Sequence, residues 1–288
     1  MARLNGSLEV QTLGTADVVS VGPKNKRATG ADWSPAGDKL IYSYYDRHQG
    51  QPDKHWGVLS TSAEGGEEVV FSSTGRHGEW SPDGSSVAYE LVKRDAPRRL
   101  AIMDSEGNQE TVLAEVPVEQ LHWNPDGSEI LVSSRGLLDA TLKVYDLEAE
   151  TLRDLIPNSS KRESNGVFSP DGSKVAFERK NKISGDTNLY IFDRDSKTED
   201  KVKTPDGRSF DPVWSPDGES IVYTHRVPGD DYDLYKTDLA SSEITQLTER
   251  DGNEYAPVFS PDGNQIAYYQ SDSKAPRGQQ ETLEFLQT

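Results

Sequence analysis

The sequence predicts an all-β fold made of six similar four-stranded units, and three observations lead to this prediction. A short turn motif that begins with an aromatic residue and ends with glycine occurs six times at nearly constant spacing. A run of apolar residues follows every copy, as expected for a buried strand. No stretch has the 3.6-residue apolar periodicity of a long helix. A period near 45 residues is typical of one blade of a β-propeller, so we predict a six-bladed β-propeller.

Each copy of the motif predicts a tight turn between two strands. Proline presets φ at the first central position, Asp or Asn favours turn geometry, and glycine accepts a positive φ. The leading aromatic residue is expected to pack between adjacent blades, where a large flat side chain buries much area. The copies are spaced by 47, 43, 45, 46 and 45 residues and begin at Trp33, Trp80, Trp123, Phe168, Trp214 and Phe259.

The two ends of the chain predict how the ring closes. The amino-terminal segment has the pattern of a third strand (residues 7–13) and a fourth strand (residues 17–21), but no first or second strand precedes them. The last motif copy has a first and a second strand and needs a third and a fourth. We therefore predict one domain over residues 1–288, in which residues 1–22 complete the last blade and close the ring, which removes exposed sheet edges. Residues 282–286 also resemble a third strand, but residues 271–288 are interpreted as a linker and a peripheral tail.

Composition excludes several classes of function. The chain of 288 residues has a formal net charge of −18, which disfavours nucleic-acid binding and attachment to anionic lipid surfaces. It has no cysteine, so disulfides, thiolate metal sites and cysteine nucleophiles are excluded. No apolar stretch is long enough for a membrane helix, and no secretory signal is found at the amino terminus. Composition alone does not identify the cellular compartment of the protein.

The repeat resembles that of the TolB-type propeller family. The segment at residues 259–268, FSPDGNQIAY, carries the resemblance most fully, and the six copies extend it over nearly the whole chain. The resemblance implies a six-bladed, WD-repeat-like bacterial propeller, often periplasmic, that binds proteins or peptides at its face or channel. We expect a free-standing propeller, since nothing in this chain supplies the α/β domain that precedes the TolB propeller. The repeat also resembles the propellers of prolyl-oligopeptidase-like enzymes, but the Gly-x-Ser-x-Gly elbow of their hydrolase domain is lacking.

Residues that enter the innermost strands are predicted to converge at the mouth of the central channel. They lie three to five positions before each motif aromatic residue and mix aromatic, amide and charged side chains, as a recognition surface does. Phe210 and Tyr255 are the expected aromatic anchors. The predicted ligand-binding residues are Arg76, His77, Glu119, Gln120, Asn165, Phe210, Asp211, Glu254 and Tyr255.

Carboxylates at the predicted mouth support a second hypothesis. No cofactor is expected under the favoured prediction. In the second hypothesis, four carboxylates from different blades surround a channel cation such as calcium: Glu119, Glu163, Asp211 and Glu254. With His77 nearby, these groups would suit a hydrolase or lyase acting on carbohydrate or peptide. The favoured prediction is a monomeric, non-catalytic scaffold that binds a protein or peptide at the channel mouth, without nucleic-acid binding or membrane insertion.

Overall fold

The protein is described by a computed structural model that covers residues 8–11, 18–21, 27–46, 55–62, 69–93, 96–135, 140–157, 159, 161–227, 229, 231–249, 251–260, 263–271 and 281–287. All regular structure in these residues is β-strand, which confirms the predicted all-β class. No helix in the described part of the chain is long and apolar enough to cross a membrane.

The described residues form 25 strands. They are β1 (Leu8–Gln11), β2 (Val18–Val21), β3 (Arg27–Trp33), β4 (Lys39–Asp46), β5 (His55–Ser62), β6 (Val69–Ser72), β7 (Gly75–Trp80), β8 (Ser86–Leu91), β9 (Arg99–Asp104), β10 (Thr111–Ala114), β11 (Gln120–Trp123), β12 (Glu129–Arg135), β13 (Ala140–Asp146), β14 (Thr151–Asp154), β15 (Arg162–Phe168), β16 (Lys174–Lys180), β17 (Thr187–Asp193), β18 (Glu199–Lys201), β19 (Arg208–Trp214), β20 (Ser220–Arg226), β21 (Tyr232–Asp238), β22 (Ile244–Gln246), β23 (Asn253–Phe259), β24 (Gln265–Ser271) and β25 (Glu281–Gln287).

The strands pair in sequence order. Five four-stranded sheets run from β3 to β6, β7 to β10, β11 to β14, β15 to β18 and β19 to β22, and a three-stranded sheet runs from β23 to β25. Hairpin connections between consecutive strands explain this order, since neighbours in the chain become antiparallel neighbours in a sheet. The chain divides into two compact units, the first formed by residues 1–123, 127–130 and 145–152, and the second by residues 124–126, 131–144 and 153–288.

The glycine that ends the motif has the predicted backbone conformation in all six copies. It has a positive φ of 70–74° every time, which a residue with a Cβ adopts only with strain. At the fifth copy, the Gly218 amide donates a 2.8 Å hydrogen bond to the carbonyl of Ser215, the second residue of the motif. The motif therefore fixes where the first strand of each sheet ends and the second begins.

The core lies on the second strand of each sheet, as predicted. The apolar run that follows the motif is buried on both faces, with Tyr42, Tyr89, Phe177, Tyr223 and Tyr268 among the largest fully buried side chains. Because both faces of these strands are covered by apolar neighbours, their burial contributes most of the hydrophobic stabilisation of the sheets.

The motif aromatic residues are buried in four copies but not in the first. Trp80, Trp123, Phe168 and Trp214 are each at most 8% exposed, and Phe259 is half-buried. Trp80 packs edge-on against Phe71 of the preceding sheet, with ring centroids 6.0 Å apart. Trp33 is 46% exposed, which differs from the expectation. Its ring therefore gains less hydrophobic stabilisation than the four buried rings.

The third strand of the last sheet comes from the carboxy-terminal tail. Strand β25 pairs with all seven residues of β24, and Leu286 packs against the cluster that contains Ile266 and Tyr268. Strands β1 and β2 pair with each other in a separate hairpin. This differs from the expected peripheral tail, because β25 takes the third position that was assigned to the amino-terminal segment. The tail is the nearest chain segment, so its pairing closes a short loop at a small entropic cost, and it forms more backbone hydrogen bonds than a four-residue strand.

Candidate functional site

The second unit contains a cavity of about 410 Å³, within the range of sites for small ligands or side chains. Its walls come from the inner ends of three successive sheets. The lining residues are Asn165, Glu178, Phe210, Asp211, Thr224, Tyr232, Asn253 and Tyr255.

A repeated β-bulge shapes this cavity. The register of the first and second strands shifts between Ser164 and Val167, between Phe210 and Val213, and again in β23. At each bulge the third residue before the motif aromatic has a left-handed backbone, with φ of 50° at both Asn165 and Asp211. Such a bulge bends the strand and redirects a side chain, and it occurs often beside functional sites.

The bulge also links three of the sheets to the sheet before them. The Asp211 amide donates to Glu178 Oε1 at 2.9 Å, and the Ala256 amide donates to Thr224 Oγ1 at 3.1 Å. In the first unit the His77 amide donates to Ser43 Oγ at 2.7 Å in the same way. The polar acceptor is always the tenth residue after a motif aromatic, so one repeat position holds the bulge of the next repeat.

Two carboxyl groups and one amide form the polar side of the cavity. Asn165 Nδ2 donates to Glu178 Oε1 and, at 3.3 Å, to Asp211 Oδ1, so the amide lies between the two acids. Glu178 Oε2 accepts a 3.4 Å hydrogen bond from Ser164 Oγ. Burial and the nearby Asp211 carboxylate raise the pKa of Glu178 to about 7, against the lowering effect of its hydrogen bonds. Burial also raises the pKa of Asp211, although Thr224 and Asn165 donate hydrogen bonds to it.

Aromatic rings form the other side of the cavity. Phe210 and Tyr232 are in contact, with ring centroids 6.2 Å apart and planes tilted by 54°. The Tyr232 amide donates to Asn253 Oδ1 at 3.2 Å, which fixes the start of β21 against β23. The Arg226 guanidinium lies 4.9 Å from the centroid of the Tyr232 ring. The cavity thus combines π-faces with acidic groups, a combination that suits cationic ligands.

Four of the predicted ligand-binding residues lie together at this cavity: Asn165, Phe210, Asp211 and Tyr255. Glu254 does not line it. Its side chain is fully buried, because residues alternate between the two faces of β23 and Glu254 points to the opposite face from Tyr255.

The predicted residues of the first unit have other surroundings. Arg76 forms a salt bridge with the buried Glu90. His77 Nδ1 lies 3.2 Å from the carbonyl of Val118, and burial lowers the pKa of this imidazole. Glu119 and Gln120 are half-buried. Arg76 is therefore occupied by an internal partner.

The expected cation ligands do not cluster in the described part of the chain. No group of three or more His, Asp or Glu side chains there is close enough to hold a metal ion. Glu163 instead forms a buried salt bridge, 2.7 Å from Arg179 Nη2, and accepts a hydrogen bond from Ser159 Oγ at 2.7 Å. Arg179 is therefore the ionic partner of Glu163 in this structure, and the role of Glu163 as a cation ligand stays a prediction.

Sequence reasoning missed Glu178, Thr224, Tyr232 and Asn253. Glu178 and Thr224 lie in strands that were interpreted only as buried apolar runs. A signal was nevertheless present, because the tenth residue after the motif aromatic carries a polar group in every copy, directly after the buried run of the second strand. These residues are Ser43, Glu90, Ser133, Glu178, Thr224 and Tyr269.

Comparison with known proteins settles the family. The model of the family described as the TolB beta propeller domain matches residues 92–284, about two thirds of the chain. This chain belongs to that family. The Tol-Pal system protein TolB of Anaeromyxobacter dehalogenans (strain 2CP-C) is 31% identical over 127 residues, which cover 44% of this chain and 26% of that relative. The chain thus matches only about a quarter of the length of this curated TolB.

Solved structures agree on the propeller fold. TolB from Acinetobacter baumannii aligns with a TM-score of 0.67 and 18% identity, over 90% of this chain and 63% of that one. The β-propeller domain of the Trilobed protease from Pyrococcus furiosus aligns with a TM-score of 0.68 and 16% identity, over 91% and 83% of the two chains. At these identities the likeness to TolB and to the protease domain concerns the fold alone.

Proposed function

We propose that this TolB-family propeller is a non-catalytic scaffold that binds a partner protein or peptide through the cavity lined by Phe210, Asp211 and Tyr255. The observation that carries the proposal is the cavity itself, in which three strand bulges bring aromatic and polar side chains from separate sheets together. Rigid strands hold these groups in place, so a partner meets a preorganised site at a small entropic cost.

The partner is tested by affinity capture from a lysate of the source bacterium. The immobilised wild type is compared with the double variant Phe210→Ala/Tyr255→Ala and with Trp33→Ala, which removes an exposed aromatic residue outside the cavity. Binding of each captured protein is then measured with the purified pair. A protein that binds wild type and Trp33→Ala but not the double variant supports the proposal. Equal binding to all three forms contradicts it.

The enzymatic alternative is tested on the same preparations. Incubation with oligosaccharide and peptide libraries, with and without calcium, reveals any hydrolase or lyase activity. Turnover that is lost in Glu119→Gln or His77→Ala at an unchanged melting temperature would replace the scaffold proposal. Absence of turnover under both conditions leaves the scaffold as the function.

We also propose that the six sheets are six blades of a closed ring in a monomeric periplasmic protein, in which β25 is the third strand of the last blade and an amino-terminal strand, β1 or β2, supplies the fourth. Family membership and the regular repeat support this arrangement. Deletion of residues 1–22 is then expected to lower the melting temperature, because it exposes a sheet edge. An unchanged melting temperature would contradict closure by these strands.

A further inference from the structure

We propose that the cavity of the second unit takes the guanidinium group of an arginine side chain presented by the partner. This inference rests on the proposed function and specifies the chemistry of its ligand. The equivalent repeat position in the first unit already holds an arginine, Arg76.

The first unit provides the precedent. Arg76 and Glu90 are direct cross-strand partners of β7 and β8, and their side chains form a salt bridge. Arg98 Nη1 also lies 3.5 Å from Glu90 Oε1, and the Val118 amide donates to the same oxygen at 2.9 Å. A glutamate at the tenth position after the motif aromatic therefore combines one backbone hydrogen bond with guanidinium groups.

The second unit repeats the glutamate but not the arginine. Ser164 and Glu178 are the equivalent cross-strand pair of β15 and β16. Glu178 keeps the backbone hydrogen bond, which comes from the Asp211 amide. Among the described residues, no cationic side chain lies within salt-bridge distance of Glu178, although its side chain is only 7% exposed. Serine carries no charge and is far shorter than arginine, so Glu178 lacks the cross-strand cation that Glu90 has, and it lines the cavity instead.

The walls of the cavity favour guanidinium over other cations. Guanidinium groups stack on aromatic faces and donate several hydrogen bonds in one plane. Arg226 already lies over Tyr232, and Arg179 lies 4.4 Å from the centroid of the Tyr190 ring, so the described residues already contain this type of contact. Asp211 supplies a second acidic group beside Asn165. The net charge of −18 further favours approach of a basic partner.

Proton release should accompany binding. Glu178 and Asp211 face each other across Asn165, while Thr224 and Tyr232 approach them from β20 and β21. A guanidinium stabilises the ionised carboxylates, so the affinity for arginine is expected to rise with pH between about 5 and 7.5. An uncharged ligand should lack this dependence.

The test uses the full chain and two matched peptides. N-acetyl-Gly-Arg-Gly-amide is compared by NMR titration with the same peptide carrying citrulline, which has nearly the same shape but no charge. The arginine peptide is expected to bind at least tenfold more tightly and to shift the backbone amide signals of Phe210 and Asp211. Equal affinities, or no binding of the arginine peptide at millimolar concentration, would overturn the proposal. Tighter binding of an otherwise identical lysine peptide would overturn the preference for guanidinium.

Variants separate this inference from the proposed function. Ser164→Arg supplies the missing cation from within, and Asp211→Asn removes one acid; both should weaken binding of the arginine peptide at least fivefold. Glu219→Gln is the control, since it removes an exposed acidic group in the turn before β20. A protein partner lost from Phe210→Ala/Tyr255→Ala but retained by Ser164→Arg would uphold the scaffold and refute the arginine site. Loss from both variants supports both proposals.

Discussion

Glu90 and Glu178 occupy the same position of two repeats, yet their surroundings are opposite. Both are buried, and both accept a backbone hydrogen bond from the next repeat. Glu90 is neutralised by Arg76, whereas Glu178 lies against Asp211 at the edge of a cavity. The tenth position after the motif aromatic therefore accepts a backbone hydrogen bond in both repeats, but only in one of them does it pair with an arginine. The cross-strand partner, and not the repeat itself, therefore decides whether a buried glutamate is paired with an arginine or faces the cavity.

The largest expected effect comes from the motif aromatic residues, which also differ between repeats. Trp214→Ala should destabilise the protein by about 3–5 kcal/mol, because a buried ring is replaced by a cavity. Trp33→Ala removes a half-exposed ring and should cost under about 1 kcal/mol. Urea unfolding of both variants measures the difference. Equal losses would show that the two rings are packed alike.

The next effect comes from breaking the salt bridge in the first unit. Arg76→Ala should destabilise the fold by about 3 kcal/mol at pH 7, since Glu90 is left buried without its closest cation. Ser164→Ala at the equivalent position should change stability by under about 1 kcal/mol. Both values come from urea unfolding at one pH. A loss in Ser164→Ala as large as that in Arg76→Ala would remove the contrast between the two glutamates.

Neutralising Glu178 should stabilise the protein, in contrast to the two destabilising changes above. Its pKa is raised from 4.5 to about 7 in the folded state, so the folded protein binds the extra proton, and stability falls as pH rises between these values. Glu178→Gln removes this loss and keeps an acceptor for the Asp211 amide. The variant should be more stable than wild type by about 2 kcal/mol at pH 8 and nearly equal to it at pH 4.

The control for this pH dependence is Glu219→Gln, in which an exposed acidic group is lost. It should leave the shape of the stability profile between pH 4 and pH 8 unchanged. A Glu178→Gln profile parallel to that of wild type would mean that Glu178 titrates normally in the folded state.

The smallest effect is the transfer of the arginine from one repeat to the other. Ser164→Arg places a cation opposite Glu178, as Arg76 is placed opposite Glu90, and should stabilise the protein by about 1 kcal/mol at pH 8. The gain should vanish near pH 5, where Glu178 is protonated. Thermal unfolding at both pH values measures it; a destabilised variant at pH 8 would show that the cavity does not accept the side chain.

The sequence was enough to predict the strand order, the turns and the buried second strands, because proline, glycine and alternating apolar residues act locally. It also predicted that Phe210, Asp211 and Tyr255 lie near one another, as they do at the cavity, since the first strand of every repeat begins at a fixed distance from the motif; their role in binding stays a prediction. The surroundings of Glu254 and Glu163 were not predictable from the sequence. The burial of Glu254 depends on the strand face that it occupies, and the salt bridge of Glu163 depends on the position of Arg179. Glu178 was missed because a polar residue in a buried run gains its role only from the neighbouring sheet.

The most direct test of the account is the pKa of Glu178 itself, measured from its side-chain ¹³C shift during a pH titration. We expect a value of about 7 in the free protein and a marked decrease with saturating arginine peptide or in Ser164→Arg. The citrulline peptide should leave the value unchanged. A pKa near 4.5 in the free protein, or one that the arginine peptide does not lower, would contradict the claim that Glu178 is a buried acid that binds a guanidinium group at this cavity.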